Sequence, residues 1–458
     1  AWNDTLLNKQ LSQGKTKGYD LKSVYNLRSS IKLTPEQHLE LKSEISYDMT
    51  DDDRFKRYDY QYSQSGMQRD YGDQLFKNHP YWRTAFYGEF SYVRQLKTNM
   101  QAYLEYNYLY EERHRRQSLY QLDLMDTDSF GVTPSEIEFA QTFDAQNSYD
   151  YRSHDIKHAV QPCLFWFPKI GNQTASIGLF ARGTAHRQQI HYVRGTIDTC
   201  FVRHTTYFES PYNYFQWNSE DKKYRVWFQY TLEVKAPELT NFVNIRDATD
   251  PMNIHLGNPD LRNTYNHGSW GGIRKMDKER QITQDFRFYW YYHQNALVQG
   301  YVYNPQNGIR TWRPYSVNGN WNGYFSYSLT LPLDKKRRYM LTTTTLPGYW
   351  HNVNMTGTSS LASATPERYN IRDLSFRETL KLVCKLGDHR LTLNGDARLH
   401  NVTSPMQGFD NFTSQDYTYG VSALLKLPLK MQLSTDFTAY TRRGYTADEM
   451  NGTDLVWN

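Results

Sequence analysis

Residues 221–235 read DKKYRVWFQYTLEVK and alternate between two kinds of side chain. One set is apolar or aromatic: Tyr224, Val226, Phe228, Tyr230, Leu232 and Val234. The other set is polar or charged, apart from Trp227: Lys223, Arg225, Gln229, Glu233 and Lys235. Because successive side chains of a strand point to opposite faces, the pattern predicts a β-strand with one apolar face. It recurs in segments of about 9–14 residues, and a tilted strand needs about 9–11 residues to cross a bilayer. The sequence therefore predicts an all-β fold, a transmembrane antiparallel β-barrel.

The composition agrees with a barrel. Mean hydropathy is −0.81 and aromatic residues make up 16% of the chain, with 39 tyrosines. A barrel has polar loops and a polar lumen, and tyrosine suits the membrane interface, so a polar average is expected. The sequence has no run of 18 consecutive apolar residues, so no transmembrane helix is predicted. The net charge of +5 is too small for a nucleic-acid-binding face, so we expect no nucleic-acid partner. The three cysteines lack metal-type spacing, and we expect no disulfide.

Short turns and long loops alternate along the chain. Short polar connections are predicted at 34–36, 96–99, 167–173, 276–281, 332–338, 387–389 and 428–430. Long connections are predicted at 51–80, 113–148, 294–318, 351–371 and 403–415. This asymmetry indicates about sixteen strands, with the short turns in the periplasm and the long loops outside the cell. One poorly patterned strand is expected near 190–208. A soluble propeller or sandwich is disfavoured because its strands have about 5–6 residues.

A loop motif follows the strand at 222–235. Residues 240–265 read TNFVNIRDATDPMNIHLGNPDLRNTY, which resembles the outer-membrane β-barrel family of TonB-dependent-receptor-like proteins of Bacteroidota. The matching positions are Asn241, Asp250, Pro251, Ile254, Gly257, Asn258, Pro259 and Leu261. The acidic residue that often follows in the family is replaced here by Asn263 and Thr264. The closing residues 454–458 (DLVWN) resemble the opening of a late barrel strand in that family.

The resemblance implies a bacterial outer-membrane location and a 22-stranded barrel around an N-terminal plug. Residues 1–458 are then one outer-membrane β-barrel domain, the C-terminal barrel portion, with the plug and the final strands outside this chain. The implied function is TonB-dependent import of an oligosaccharide, peptide, siderophore or metal complex. The implied partners are outer-membrane lipid, lipopolysaccharide, a TonB-type energising protein and a surface lipoprotein. Two alternatives remain: a passive channel or assembly component built on the same barrel, and an outer-membrane enzyme.

Few residues point to chemistry. No nucleophile-elbow, zincin or Walker motif is present, so we predict no catalytic residue, no metal site and no cofactor. His186 and His191 should lie on opposite strand faces, which makes them poor joint ligands. The acidic run 51–53 could hold Ca²⁺ through carboxylate oxygens, but a solvated turn is the favoured interpretation.

Two groups of residues are candidates for function. Aromatic side chains in the segment SPYNYFQWN could contact substrate or form an interfacial girdle: Tyr212, Tyr214, Phe215 and Trp217. The family motif is expected to form a structural loop corner, because glycine frees φ, asparagine tolerates left-handed backbone and proline fixes the turn: Gly257, Asn258, Pro259 and Leu261.

Overall fold

The computed structural model describes residues 8–62, 68–125, 130–250, 252–361, 364–406 and 408–458. Strands account for 76% of the chain and helices for 4%, so the all-β prediction is confirmed. Within the described residues, every helix is too short or too polar to span a bilayer. One helix, α1 (Glu136–Thr142), lies between two strands and begins with a capping box formed by Ser135 and Glu138.

In the part of the chain that the structure describes, twenty-two strand segments form one large sheet, and two more form a small separate hairpin. The first half of the chain contains β1 (Asn8–Thr34), β2 (Gln37–Tyr62), β3 (Gln68–Lys97), β4 (Met100–Gln121), β5 (Phe143–Trp166), β6 (Lys169–Ile170), β7 (Gln173–Thr174), β8 (Ser176–Phe180), β9 (Arg182–Arg194), β10 (Ile197–Asn218) and β11 (Tyr224–Lys235). The second half contains β12 (Arg246–Asp247), β13 (Asn253–Leu256), β14 (Thr264–Asp277), β15 (Ile282–Gln294), β16 (Ala296–Tyr303), β17 (Arg310–Val317), β18 (Asn320–Pro332), β19 (Tyr339–Thr358), β20 (Glu367–Leu386), β21 (His389–Thr403), β22 (Phe412–Lys426), β23 (Gln432–Arg443) and β24 (Gly452–Trp457).

The long strands follow one another as an antiparallel meander. The order of pairing is β1 to β5, then β8 and β9 as consecutive parts of one strand, then β10, β11, β14, β15 and β18 to β24. The prediction of about sixteen strands is confirmed. Among the described residues, β1 pairs only with β2 and β24 only with β23.

The predicted short turns all lie at one end of this meander, which we call the turn end. The opposite end, the loop end, carries the longer connections, including 236–263 and the hairpin of β16 and β17. Two short parallel pairings tie these connections together at the loop end: β13 with β17, and β16 with β19. The predicted division into a short-turn end and a long-loop end is therefore present.

The long loops predicted at 51–80 and 113–148 are wrong. β2 continues to Tyr62 and β3 begins at Gln68, while β4 continues to Gln121 and β5 begins at Phe143. These extensions carry polar residues on both faces, so they lack the alternation that marks a strand in the sequence. Cross-strand polar contacts stabilise them instead: Arg57 forms an ion pair with Asp73 at 2.5 Å, and His114 Nε2 lies 2.9 Å from Asp150 Oδ1.

Three further expectations need correction. The single strand expected near 190–208 is replaced by the end of β9 and the start of β10, joined by a tight turn in which Gly195 has φ +56°. The loop predicted at 351–371 is shorter, because β19 and β20 enter it from both sides. The acidic run 51–53 lies inside β2 and not in a loop, and Asp52 accepts a hydrogen bond from Asn78 at 2.9 Å.

The sheet has an apolar outer face and a polar inner face. Phe228, at the centre of the predicted apolar face, is 44% exposed and its ring stacks on Phe288 on the same surface. Other exposed members of this outer face are Leu104, Val160, Phe208, Ile273, Phe286, Phe325, Leu374, Phe376, Tyr419 and Phe437. Buried polar residues occupy the opposite face, including Ser91, Asn107, Gln161, Thr184, Asp285 and Ser375. This arrangement is the reverse of that in a soluble domain.

The sheet curls around its polar face. Lys56, near the loop end of β2, lies 3.7 Å from Asp250, in the connection that follows β11. Tyr58 of β2 and Met252 of that connection are both buried, and Ile309 of the next connection packs against them. These contacts join parts of the meander that are many strands apart, so the wall surrounds an interior space.

Candidate functional site

The connection 236–263 folds inward against the inner face of the wall. Its apolar side chains form a buried cluster with two residues of β9, Ile190 and Tyr192. The members contributed by the connection are Leu239, Phe242, Val243 and Leu261, each less than 9% exposed. Fully burying one such side chain contributes about 1.5–3 kcal/mol, so this cluster is a substantial anchor. We call residues 236–263 the inner segment.

The family motif fastens the inner segment to its surroundings. The Asn258 backbone N–H donates to the Asn241 carbonyl at 2.6 Å, and Asn258 Nδ2 donates to the Pro314 carbonyl at 2.9 Å. Arg313 Nε donates to the Gly257 carbonyl at 3.1 Å. A Cβ at Gly257 would lie 1.9 Å from the Val243 carbonyl oxygen, so only glycine fits this approach. Leu261 is buried, Pro259 is exposed, and Pro251 lies outside the described residues.

Asn263, which stands where the family often has an acidic residue, also contacts its neighbours. Asn263 is buried, and its Oδ1 accepts a hydrogen bond from Arg203 of β10 at 2.6 Å. The guanidinium of Arg203 also lies 5.2 Å from the ring of Phe242, within the range of a cation–π contact. Phe201, two residues earlier on the same face, stacks on Phe242 with ring centres 5.1 Å apart. The inner segment is thus held by β10 as well as by β9.

An ion pair closes the inner segment onto the wall. Arg194, at the end of β9, has a side chain that is 3% exposed, and its guanidinium contacts Asp247 at 2.8 Å. The same guanidinium donates to Asn147 Oδ1 at 2.9 Å and to the Gln146 carbonyl at 2.8 Å. Burial alone would raise the pKa of Asp247, but hydrogen bonds from Arg194 and Thr249 outweigh it and lower the pKa to about 2.

Three tyrosine rings with nearly parallel planes form a triangular group beside this ion pair, which we call the tyrosine stack. Tyr149 and Tyr151 of β5 and Tyr192 of β9 have ring centres 6.0–6.2 Å apart and interplanar angles of 15–17°. The guanidinium of Arg115 lies 5.9 Å from the ring of Tyr149. The stack lines a cavity of about 310 Å³, to which the inner segment contributes Asp247 and other residues. Aromatic faces beside a cation and a carboxylate suit a ligand with a flat ring and polar substituents.

A second cavity, of about 380 Å³, lies directly below the tyrosine stack. It shares Tyr151 with the first cavity and continues toward the turn end past Asp155, Lys157 and His186. The side chain of His186 is fully buried, and its Nε2 lies 2.5 Å from Asp155 Oδ1. His186 Nδ1 is buried without a hydrogen-bond partner among the described residues.

A third cavity, of about 300 Å³, continues the same path. It shares Lys157 and Glu233 with the second cavity and reaches Arg182 and Glu209. The three cavities therefore follow one another along the inner wall, from Arg115 near the loop end toward the turn end. Their lining includes both acidic and basic groups. A polar solute on this path would find hydrogen-bonding groups along its length.

The aromatic residues expected to contact substrate lie elsewhere. Tyr212, Tyr214, Phe215 and Trp217 occupy the part of β10 nearest the turn end, outside the three cavities. Tyr214 Oη lies 3.2 Å from Ser176 Oγ, and its ring contacts Tyr212 with centres 5.3 Å apart. Their contact with substrate stays a prediction.

The prediction that His186 and His191 lie on opposite faces of a strand agrees with the structure. His186 is buried on the inner face of β9, whereas His191 is exposed and its Nε2 lies 2.7 Å from Asp198. Sequence analysis missed the tyrosine stack and Arg115. Arg115 lies in the loop predicted at 113–148, Tyr149 and Tyr151 directly follow that loop, and Tyr192 lies in the poorly patterned strand expected near 190–208. The available signal was the alternation of Tyr149, Tyr151, Ser153 and Asp155, which marks one strand face.

The comparisons with known proteins can now be set beside this geometry. No family model matches the sequence, and no curated protein matches it. Solved structures with a similar chain path include the copper transporter OprC, with 10% identity, a TM-score of 0.42, and coverage of 98% of this chain and 78% of that one. The FrpB iron transporter from Neisseria meningitidis has 11% identity, a TM-score of 0.43, and coverage of 95% and 71%. The ferric yersiniabactin uptake receptor FyuA from Yersinia pestis has 9% identity, a TM-score of 0.39, and coverage of 96% and 69%.

Proposed function

We propose that this chain is the barrel of a TonB-dependent outer-membrane receptor that imports a nutrient. One observation carries the proposal: an apolar outer face surrounds a polar inner wall in which three cavities follow one another from the loop end toward the turn end. An apolar outer face needs lipid, and a polar interior needs water or a polar solute. The role is one of binding and passage and not of catalysis.

The cellular setting is part of the same proposal. The apolar outer face supports insertion in the bacterial outer membrane, with lipid and lipopolysaccharide around it. The motif at 240–265 supports the Bacteroidota type of receptor, a TonB-type energising protein and a surface lipoprotein as partners, all by resemblance. By the same resemblance, residues 1–458 are one barrel domain. The plug and the final strands of a 22-stranded barrel then lie outside this chain.

The tyrosine stack narrows the class of ligand. Three parallel rings, with Arg115 over one of them, offer flat surfaces and a positive charge at the mouth of the cavities. Sugar rings and aromatic siderophores present flat faces with hydroxyl groups, whereas a metal ion alone does not. We therefore favour an oligosaccharide or a siderophore over a peptide or a simple metal complex.

The alternative is a passive channel or an assembly component built on the same barrel. The two functions differ in energy dependence: import through a TonB system stops when TonB is removed, and passive diffusion continues. The test is growth on single nutrients of strains that lack this protein, TonB or both. A nutrient that both single deletions fail to use supports import. If no nutrient shows a shared dependence, the importer proposal fails and the channel or scaffold takes its place.

A pair of variants connects this test to the cavities. Tyr151→Ala removes the ring shared by the first two cavities, and Tyr419→Ala removes an exposed tyrosine of the outer face. Aromatic pairs contribute about 0.5–1.5 kcal/mol beyond burial, so Tyr151→Ala should weaken ligand uptake by about two- to tenfold. Tyr419→Ala should leave uptake affinity unchanged. If both variants have the same uptake affinity, the tyrosine stack does not contact the ligand during uptake.

A further inference from the structure

A basic cluster lies on the outer face of the sheet, on the loop-end side of several exposed apolar side chains. In the register of β5, β9 and β10, Arg187 is paired with Ile156 on one side and with His204 on the other. One row closer to the turn end, His158 is paired with Ala185 on β9. Arg187, His204 and His158 are all exposed. We call these three residues the outer basic cluster.

The cluster borders exposed apolar side chains. Val160, two residues from His158 on the same face of β5, is 49% exposed. Phe208, on the same face of β10, is 72% exposed, and Leu104 on β4 is 51% exposed. The cluster therefore lies on the loop-end side of these apolar side chains, with Val202 of β10, 45% exposed, beside it. At such a border a bilayer presents its headgroups next to its acyl chains.

The positive charge of Arg187 is not neutralised by the protein. Its guanidinium donates to Gln189 Oε1 at 3.1 Å, and no carboxylate pairs with it in the described part of the chain. Two acidic groups on this surface have other partners: Glu112 lies 3.6 Å from Arg152, and Asp198 lies 2.7 Å from His191. Arginine stays charged at every physiological pH and forms paired hydrogen bonds with phosphate oxygens.

His158 is held in place from the neighbouring strand β4. Tyr106 Oη of β4 lies 2.7 Å from His158 Nδ1, and the ring of His158 packs on Tyr108 with centres 5.0 Å apart. The other imidazole nitrogen of His158, Nε2, takes no part in the hydrogen bond with Tyr106. A preorganised ring beside a guanidinium without a carboxylate partner offers a phosphate group two hydrogen-bond donors.

We propose that the outer basic cluster binds a phosphate group in the headgroup of an outer-leaflet lipid, with the lipid's acyl chains lying on Val160 and Phe208. The apolar border distinguishes a lipid from a free anion, because a free phosphate makes no use of it. The inference rests on the proposed placement in the outer membrane but not on transport. Binding in micelles is measured without TonB or nutrient, so failure of import and failure of this site are separate results.

The experiment measures binding of bisphosphorylated lipid A to the full chain in neutral detergent micelles, by native mass spectrometry. Arg187→Gln should weaken binding by about fivefold, the effect of one cationic side chain at a membrane surface. Arg187→Lys should retain most of the affinity. The matched control is Arg372→Gln, which removes an exposed arginine from β20, far along the wall. It should bind lipid A like the unmodified chain.

Two further arms identify the ligand source. Lipid A without phosphates should bind the unmodified chain about fivefold more weakly than lipid A does. It should bind Arg187→Gln as strongly as it binds the unmodified chain. Inorganic phosphate at millimolar concentration should not displace the lipid. The proposal is overturned if Arg187→Gln and Arg372→Gln have equal effects, or if the dephosphorylated lipid binds as well as lipid A. It is also overturned as a lipid site if inorganic phosphate competes fully. Each variant is first shown to melt at the temperature of the unmodified chain.

Discussion

The ion pair between Arg194 and Asp247 should control whether the inner segment stays closed on the wall. Asp247 contributes most as an anion, because its hydrogen bonds with Arg194 and Thr249 lower its pKa to about 2. A fall in the pKa from about 3.9 in the unfolded chain to about 2 corresponds to roughly 3 kcal/mol. The Asp247 side chain is 33% exposed, so solvent screening reduces this contribution to about 1–2 kcal/mol.

The perturbation that tests this value is Asp247→Asn, which keeps the shape and removes the charge. Arg194 would still donate to Asn147 and to the Gln146 carbonyl, so the loss should not reach the larger cost of a fully unpaired buried cation. A loss of about 1–2 kcal/mol corresponds to about 5- to 30-fold more frequent opening. Hydrogen exchange of the amides in residues 236–263, at neutral pH, measures this opening directly.

The control and the pH dependence sharpen the test. Asp260→Asn removes an exposed carboxylate from the same segment and should leave its exchange unchanged. Because the pKa of Asp247 is lowered on folding, its contribution is present above about pH 4 and is lost as the pH falls through 4 toward 2. Protection of the segment in the unmodified chain should fall over that range, after correction for intrinsic exchange. Equal protection of Asp247→Asn and the unmodified chain at neutral pH would refute the reasoning.

Three further predictions concern the wall, the motif and orientation. Phe228→Arg should destabilise the barrel in refolding assays by about 2–4 kcal/mol if the residue lies near the bilayer midplane, whereas Gln229→Arg on the inner face should be mild; equal tolerance would reject the assigned faces. Gly257→Ala places a Cβ 1.9 Å from a carbonyl oxygen, so it should cost about 1–3 kcal/mol and loosen the inner segment in hydrogen exchange; unchanged protection would contradict the contact. Cysteine introduced at Asn307 should be labelled in intact cells and cysteine at Lys336 should not, and the reverse labelling would invert the proposed orientation.

The sequence predicted those features of the fold that depend on neighbouring residues. Alternation located the strands of the apolar outer face, and proline, glycine and charged clusters located the short turns. The polar extensions of β2, β3, β4 and β5 were missed because their stability comes from partners on other strands. Arg57 and Asp73 are 16 positions apart, and His114 and Asp150 are 36 positions apart, so no local pattern reveals these pairs.

The candidate site was missed for a related reason. Tyr149, Tyr151 and Tyr192 form one stack only because β5 and β9 pair with Tyr151 opposite Tyr192. The inner segment then covers the stack through contacts with β9 and β10. Such a site depends on register between strands that are distant in the sequence, and a one-residue slip would turn each tyrosine to the other face.

The aromatic run at 212–217 shows the opposite error, in which neighbours in the sequence are separated in the structure. Phe215 is paired with Phe228 and Trp217 with Val226, so both belong to the outer face. Tyr214 is paired with Gln229 and belongs to the inner face. The register between β10 and β11 also shifts between Ser210 and Asn213, which changes the face of every later residue relative to the earlier ones. A cluster of aromatic letters therefore predicts a patch only when the alternation and the bulges of its strand are known. The tyrosine stack meets that condition, and the run at 212–217 does not.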